Sequence, residues 1–213
     1  MVLGISSSGR ENGVTSQAVK KVLDSTGQEY EYISLSGKAI RGCTGCLGCA
    51  RDNICKVKDD WNLIGQRMKD ADAIVFGGTN YFNMLNALGQ ATLERTFSFR
   101  HMERFLLAGK LGVIVSCGYN PQDNPVKNTI KMFMESAKMS VIGSVEVGGY
   151  SQCYSCGPGI ECAVGNIVKD HGFISEVLEE HLPKDFNQQE EANLEAYKAG
   201  KILGSILRAR SQS

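Results

Sequence analysis

The pattern that most constrains this chain is an alternation, running its whole length, of short apolar runs of strand length with amphipathic stretches of helix length. Such alternation marks a parallel sheet whose strands are joined by crossover helices. Five βα units can be read. Strands are predicted at Val2–Ile5, Tyr30–Leu35, Ala73–Gly77, Gly112–Ser116 and Val141–Val147. Helices are predicted at Thr15–Ser25, Asp60–Lys69, Ala87–Arg104, Pro125–Lys138 and from about Gln188 to Arg208. A chain of 213 residues can bury one core without dividing, so residues 1–213 are expected to form a single α/β domain. Two segments break the rhythm: 36–59, after the second strand, and 148–183, after the fifth. Both carry Gly and Cys.

Charge excludes one class of partner. Lys plus Arg and Asp plus Glu each number 23, and neither sign forms a long block. No basic field exists of the kind that non-specific nucleic-acid binding requires, so no nucleic-acid partner is expected. Met1 to Ser6 reads as a first strand rather than a signal segment, and even Leu111 to Cys117 is only strand-sized. The expectation is a cytoplasmic protein with no membrane partner. Eight cysteines in a reducing compartment are not expected to be structural disulfides, and seven fall in two tight groups, which points to metal binding or redox work.

In an open parallel sheet ligands collect outside the carboxyl ends of the strands, where strand order reverses. The loop after the first strand reads Ser6-Ser7-Ser8-Gly9-Arg10-Glu11-Asn12-Gly13-Val14-Thr15-Ser16. It places hydroxyls, backbone N–H groups and one Arg at the start of a helix, which makes a phosphate cradle. The dinucleotide Gly-x-Gly-x-x-Gly spacing is absent, so one terminal phosphate fits better than a pyrophosphate. The plainer alternative is a Ser-rich turn in which Asn12 or Thr15 only caps the helix.

The most specific local signal is Cys43-Thr44-Gly45-Cys46-Leu47-Gly48-Cys49, followed by Cys55. Four thiolates are what a [4Fe–4S] cube needs, one per iron, and this spacing lets one loop wrap three corners before swinging to the fourth. Gly45 and Gly48 each precede a ligand, where a missing Cβ eases unusual dihedrals and close backbone approach. Tetrahedral zinc is the alternative, although zinc motifs usually split into two Cys pairs. The second group, Cys153, Cys156 and Cys162, leaves a fourth corner open. A second cluster or metal site, a zinc site completed by Cys117 or His171, and a thiol pair forming a reversible disulfide all suit it. His101, His171 and His181 show no mutual ligand spacing. Arg41, Arg51, Lys56 and Lys58 around the first group suit either a solvated loop or a docking surface for an acidic protein.

The segment from Gly4 to Thr15 resembles the phosphate loop of NAD(P)H-dependent FMN reductases within the flavodoxin-like proteins, with Gly9 in place of the usual Pro and Val14 in place of Asn. The segment Gly78-Thr79-Asn80-Tyr81-Phe82-Asn83-Met84 resembles their flavin loop, and Glu94-Arg95 stands where an Asp-Arg pair is common. The resemblance implies a doubly wound five-stranded parallel sheet in the order 2-1-3-4-5. It also implies FMN bound by Ser6, Ser8, Arg10, Asn12, Gly13, Val14 and Thr15, by Thr79, Asn80, Tyr81, Phe82, Asn83 and Met84, and by Ser116, Cys117, Gly118 and Tyr119. With the cysteine spacing added, the whole chain resembles the iron–sulfur flavoproteins of anaerobic archaea and bacteria. That implies FMN with a [4Fe–4S] cluster on Cys43, Cys46, Cys49 and Cys55, in a homodimer or homotetramer. Ferredoxin or NAD(P)H would then donate electrons, and oxygen, peroxide or a quinone would accept them. A flavin-dependent dehydrogenase of a small cyclic substrate and a non-catalytic redox sensor are the competing expectations. No catalytic residue is assigned.

Overall fold

The computed structural model describes residues 1–119, 121 and 125–212. Its strands are β1 (Val2–Ser6), β2 (Tyr30–Ser34), β3 (Ala73–Tyr81), a two-residue β4 (Met84–Leu85), β5 (Leu111–Gly118) and β6 (Ser140–Gly148). Five of them lie parallel in the order β2-β1-β3-β5-β6, which is the expected 2-1-3-4-5 order once the short β4 is set aside. The helices are α1 (Val14–Thr26), α2 (Trp61–Asp70), α3 (Ala87–Glu94), α4 (Val126–Ser136), α5 (Asn166–His171) and α6 (Glu190–Ser211).

Side chains alternate across a strand, so each central strand feeds two cores. Val2, Val75, Val113 and Val115 face α1 and α6, where they meet Val19, Val22, Ala196 and Leu203. Leu3, Ile5, Ile74, Phe76 and Ile114 face the other way onto Trp61, Ile64, Leu93 and Ile130 of α2, α3 and α4. Burial on both faces explains why the strands read as unbroken apolar runs. Among the described residues, no helix is long and apolar enough to cross a membrane.

The structure departs from expectation in three places. First, β3 runs past Gly77 to Tyr81 and folds back as β4 through Phe82 and Asn83, both left-handed (φ 53° and 59°). A segment read as an irregular loop is therefore a tight hairpin, with the pair of positive φ values such turns demand. Second, α3 ends at Glu94 and continues as a 3-10 turn, Arg95–Phe99, rather than running to Arg104. Hydroxyls compete with the helical ladder there: Thr96 Oγ1 donates to Leu93 O (2.6 Å) and Ser98 Oγ to Arg95 O (3.0 Å). Third, segment 148–183 holds α5 and the short 3-10 turns Gln152–Ser155, Pro158–Ile160 and Glu179–His181.

Candidate functional site

A cleft of 280 Å³ opens at the carboxyl ends of β1, β3 and β5. Ser8, Arg10, Gly13, Val14 and Thr15 line it from the first loop, Thr79, Asn80, Tyr81 and Phe82 from the hairpin, and Cys117, Gly118 and Tyr119 from the end of β5. Gly13 caps α1 in extended conformation and offers no side-chain acceptor, which leaves first-turn N–H groups available to an anion. Ser8 Oγ accepts the Arg10 N–H at 3.1 Å, and Thr15 Oγ1 meets Thr79 Oγ1 at 3.2 Å, joining the two loops.

Other expected residues stand apart from this lining. Ser6 is fully buried and bonded to Ser16 Oγ at 3.0 Å, so it shapes the loop from beneath. Asn12 is exposed and uses its carbonyl to accept the Gln17 amide. Asn83 sits in the hairpin turn, and Met84 is exposed beyond it. Ser116 is buried, and among the described residues its Oγ has no hydrogen-bond partner. Burial pushes the neighbouring Cys117 thiol up. Ser7 and Asn86 do work that the sequence did not reveal. Ser7 Oγ donates to Asn86 Oδ1 and Asn86 Nδ2 donates to Ser7 O, both at 2.6 Å, pinning the first loop to the start of α3.

The fourth wall was also unforeseen. Gly149, Tyr150, Ser151 and Gln152 complete the cleft from the second cysteine segment. Arg10 Nη2 donates to Gln152 Oε1 (2.9 Å) and to Ser155 Oγ (3.4 Å), and its guanidinium lies 4.5 Å over the Tyr150 ring. Gln152 Nε2 reaches across to Tyr81 OH at 3.3 Å. Tyr119 donates its hydroxyl to Asp170, and burial together with that carboxylate pushes the phenol up.

The first cysteine group builds a separate cavity. Cys43, Cys46, Cys49 and Cys55 all line it, with Arg95, Phe97 and Ser98 as its far wall. Gly45 is left-handed (φ 65°), and a Cβ on Gly48 would meet Lys56 Cγ at 2.8 Å, so one glycine serves the turn and the other close packing. Arg95 is fully buried and spends every donor. Nε donates to Cys55 Sγ (3.1 Å), Nη1 to Arg41 O and Asp59, Nη2 to Val57 O and Asp59, and the guanidinium lies 4.8 Å over Trp61. Burial opposes the charges of this pair, but their mutual bonds win: Asp59 is held below the usual carboxylate range and Arg95 above its own.

The thiols differ in character. Hydrogen bonds from the Gly48 N–H and from Thr44 hold the Cys46 thiol below its ordinary value, whereas burial, reinforced by the other cysteines, raises that of Cys49. His101 Nε2 lies 3.2 Å from Cys49 Sγ, held by Asn53, which accepts its backbone N–H at 2.8 Å. Sequence spacing alone assigns His101 no partner. Lys56 pairs with Asp52 and Arg41 with Asp59, so the cations around this loop are partly neutralised. Asn86, bonded to the first loop, and Arg95, beside the thiols, stand at opposite ends of α3, about 13 Å apart at the rise of an α-helix.

All eight cysteines are free. Among the described residues, no three His, Cys, Asp or Glu side chains converge on a single-ion position. A cube carries its thiolates on four separate corners, so thiols arranged around a cavity meet its requirement without converging on a point. In the second group, Cys153 Sγ accepts the Asn166 N–H at 3.3 Å, and Cys156 Sγ lies 3.4 Å from Cys153 O. Hydrogen bonds from Ser151 and Asn166 hold the Cys153 thiol below its ordinary value. The suggested completing ligands have other partners. Cys117 is buried under Gly149, and His171 bonds Tyr154 OH at 3.0 Å with its ring 4.9 Å from that of His181.

Residues 1–151 match a family described as NADPH-dependent FMN reductase. An iron-sulfur flavoprotein from Methanocaldococcus jannaschii is 35% identical over 120 residues, covering 55% of this chain and 61% of the relative. Another from Methanosarcina thermophila is 25% identical over 147 residues, covering 67% of this chain and 76% of the relative. This chain thus spans about three fifths of the length of the first of these curated relatives. Among solved structures, the Trp repressor binding protein from Bacillus subtilis superposes with a TM-score of 0.61 at 16% identity, covering 93% of this chain and 98% of the other. That likeness shows the flavodoxin-like fold.

Proposed function

Because the chain belongs to the NADPH-dependent FMN reductase family, we propose that it is a flavin-dependent oxidoreductase that binds FMN in the rim cleft and a [4Fe–4S] cluster on Cys43, Cys46, Cys49 and Cys55. It passes electrons between a carrier, ferredoxin or NAD(P)H, and a small acceptor of the oxygen, peroxide or quinone type. The observation that carries this reading is that two loops, each bonded to one end of α3, build two chemically matched cavities. One has an uncapped helix N-terminus with Arg10 beside it, and the other has four thiols around one space.

Ser8, Thr15, Arg10 and the first-turn N–H groups of α1 would hold the phosphate, and Tyr81 with Phe82 would flank the ring. FMN supplies the exchange between two-electron and one-electron chemistry, and the cluster supplies a one-electron port. The protein's own contribution is electrostatic. Arg95 sets a buried positive charge against Cys55, and the Gly48 N–H favours the thiolate of Cys46, so both groups stabilise negative charge at the cluster site. The relatives' names support the cluster, and a homodimer or homotetramer is part of the same reading. Cys153, Cys156 and Cys162 do not enter it.

An anaerobic preparation analysed for FMN, iron and labile sulfide, with EPR of the reduced form, tests the proposal. One FMN and about four irons per chain are expected. Zinc in place of iron, or a colourless protein that binds no flavin, overturns it. Steady reduction of an acceptor, rather than a redox-dependent change of assembly alone, separates the enzyme from a sensor.

A further inference from the structure

We propose that Cys153 and Cys156 form a reversible dithiol–disulfide pair, a second redox site that reacts with low-molecular-weight disulfides. Gln152–Ser155 is a 3-10 turn closed by the Cys156 N–H, which donates to Cys153 O at 3.5 Å. Residues three apart eclipse in such a turn, and with a rise of about 2.0 Å per residue their Cα atoms stand on one face about 6 Å apart. A disulfide accepts Cα separations of about 4.4–6.8 Å, so the pair closes with no more than a local tightening of this turn. The sulfur of Cys156 already lies back over its partner, 3.4 Å from Cys153 O.

Access orders the two steps. Cys156 is exposed and Cys153 half-buried. The Cys156 thiolate attacks one sulfur of the small disulfide, forming a mixed disulfide and releasing one small thiolate. The Cys153 thiolate, its charge stabilised by the Asn166 N–H, then attacks the Cys156 sulfur and expels the second small thiolate. The two cysteines lose two electrons and their thiol protons, and the small disulfide gains them as two thiols.

The site is wired to the rim cleft. Gln152 and Ser155, next to and within the pair, are the residues that grip Arg10, and Tyr150 lies beneath its guanidinium. Tightening the turn into a disulfide ring shifts that grip and so changes how Arg10 serves a phosphate. This second half rests on the reading of the cleft as an FMN site, whereas the disulfide itself does not.

The full chain, purified anaerobically, is equilibrated with glutathione and glutathione disulfide at a series of ratios, then acid-quenched, alkylated, digested and weighed. The peptide carrying Cys153 and Cys156 is expected to change from two alkylated thiols to one unalkylated internal disulfide, two hydrogens lighter than the free dithiol, and to revert when glutathione is added. In Cys153→Ser a glutathione adduct is expected to persist on Cys156. Alkylation of both thiols at every ratio, pairing of Cys153 with Cys162, or iron held by these cysteines overturns the proposal. FMN titration of the oxidised and reduced forms is expected to differ in affinity by about tenfold, the worth of roughly one charge-assisted hydrogen bond. Equal affinities overturn the link to Arg10. Failure of both forms to bind FMN sinks the cleft reading while the disulfide stands.

Discussion

The two cysteine loops leave the same sheet and are held in opposite ways. The first is bolted from below: Arg95, fully buried, ties Cys55, Arg41, Val57 and Asp59 into one network with Trp61 stacked beside it. The second is tethered from the side, by Arg10 to Gln152 and Ser155 and by Asn166 to Cys153 and Ser151, none of these residues being fully buried. A buried, fully satisfied polar network fixes one geometry, whereas scattered exposed bonds leave a loop able to shift at small cost. The first loop is built to keep four thiols at fixed positions, the second to change state.

Removing the bolt breaks that contrast with the largest effect. Arg95→Met leaves Asp59, whose side chain is 5% exposed, without its buried cation, only the exposed Arg41 guanidinium remaining at 3.9 Å, and Cys55 without its donor. Deleting one partner of a buried pair costs about 3–5 kcal/mol. Urea unfolding is expected to register a loss of that size, and iron content is expected to fall well below that of the unaltered chain. Full iron loading with unchanged stability would show that the loop holds itself. Arg95→Lys keeps the charge but not the planar fork, so partial recovery of iron is expected to mark geometry as the scarce element.

Cutting the tether has the next largest effect, and it falls on binding. Arg10→Ala removes a cation whose side-chain hydrogen bonds, among the described residues, go to exposed partners and whose ring contact is to the half-buried Tyr150, so stability is expected to stay within about 0.5 kcal/mol. FMN affinity is expected to drop about tenfold to a hundredfold, the worth of a hydrogen bond to a charged group at about 1.5–3 kcal/mol. Flavin fluorescence quenching reads this directly, and undiminished affinity would place the phosphate elsewhere.

Acid separates the loops more gently. Asp59 is depressed in the folded protein, so its contribution is fully present above the ordinary carboxylate value of 3.8 and is lost as pH falls through the lower folded value. Below pH 3.8 stability is expected to fall with a slope of at most about 1.4 kcal/mol per pH unit from this one group. Asp59→Asn should flatten that slope. A slope unchanged by the substitution would deny Asp59 its role in the bolt.

Much of this arrangement was legible in the sequence, and what was missed has a common cause. The strands and the cysteine cavity depend on local signals, apolar runs and thiols spaced within one loop, while the strand order followed from the family resemblance. Arg95 was visible only as half of a Glu-Arg pair, because its partners lie 36 to 54 residues away. The contact of Arg10 with Gln152 spans 142 residues, and no local pattern announces it. The Gly-Gly-Thr-Asn composition before Tyr81 imitated a loop, while the actual turn fell on Phe82 and Asn83, where left-handed backbone is unusual for so large a side chain.

The smallest expected effect tests whether the tether is one bond or a set. Gln152 bridges Arg10 and Tyr81 at 2.9 and 3.3 Å, so it is the only residue among those described that links the second cysteine loop to both the first loop and the hairpin through side-chain bonds of its own. Its exposure means that each bond contributes little to folding, and Gln152→Ala is expected to leave urea stability unchanged within about 0.5 kcal/mol. Its effect should appear in local opening: faster amide exchange over residues 150–165, with residues 43–55 unaltered. If exchange quickens in both loops, the cleft and the thiol cavity are mechanically joined and the contrast between them dissolves. If it quickens in neither, Ser155 and the Tyr150 ring hold Arg10 alone, and the tether is the guanidinium stacking rather than the amide.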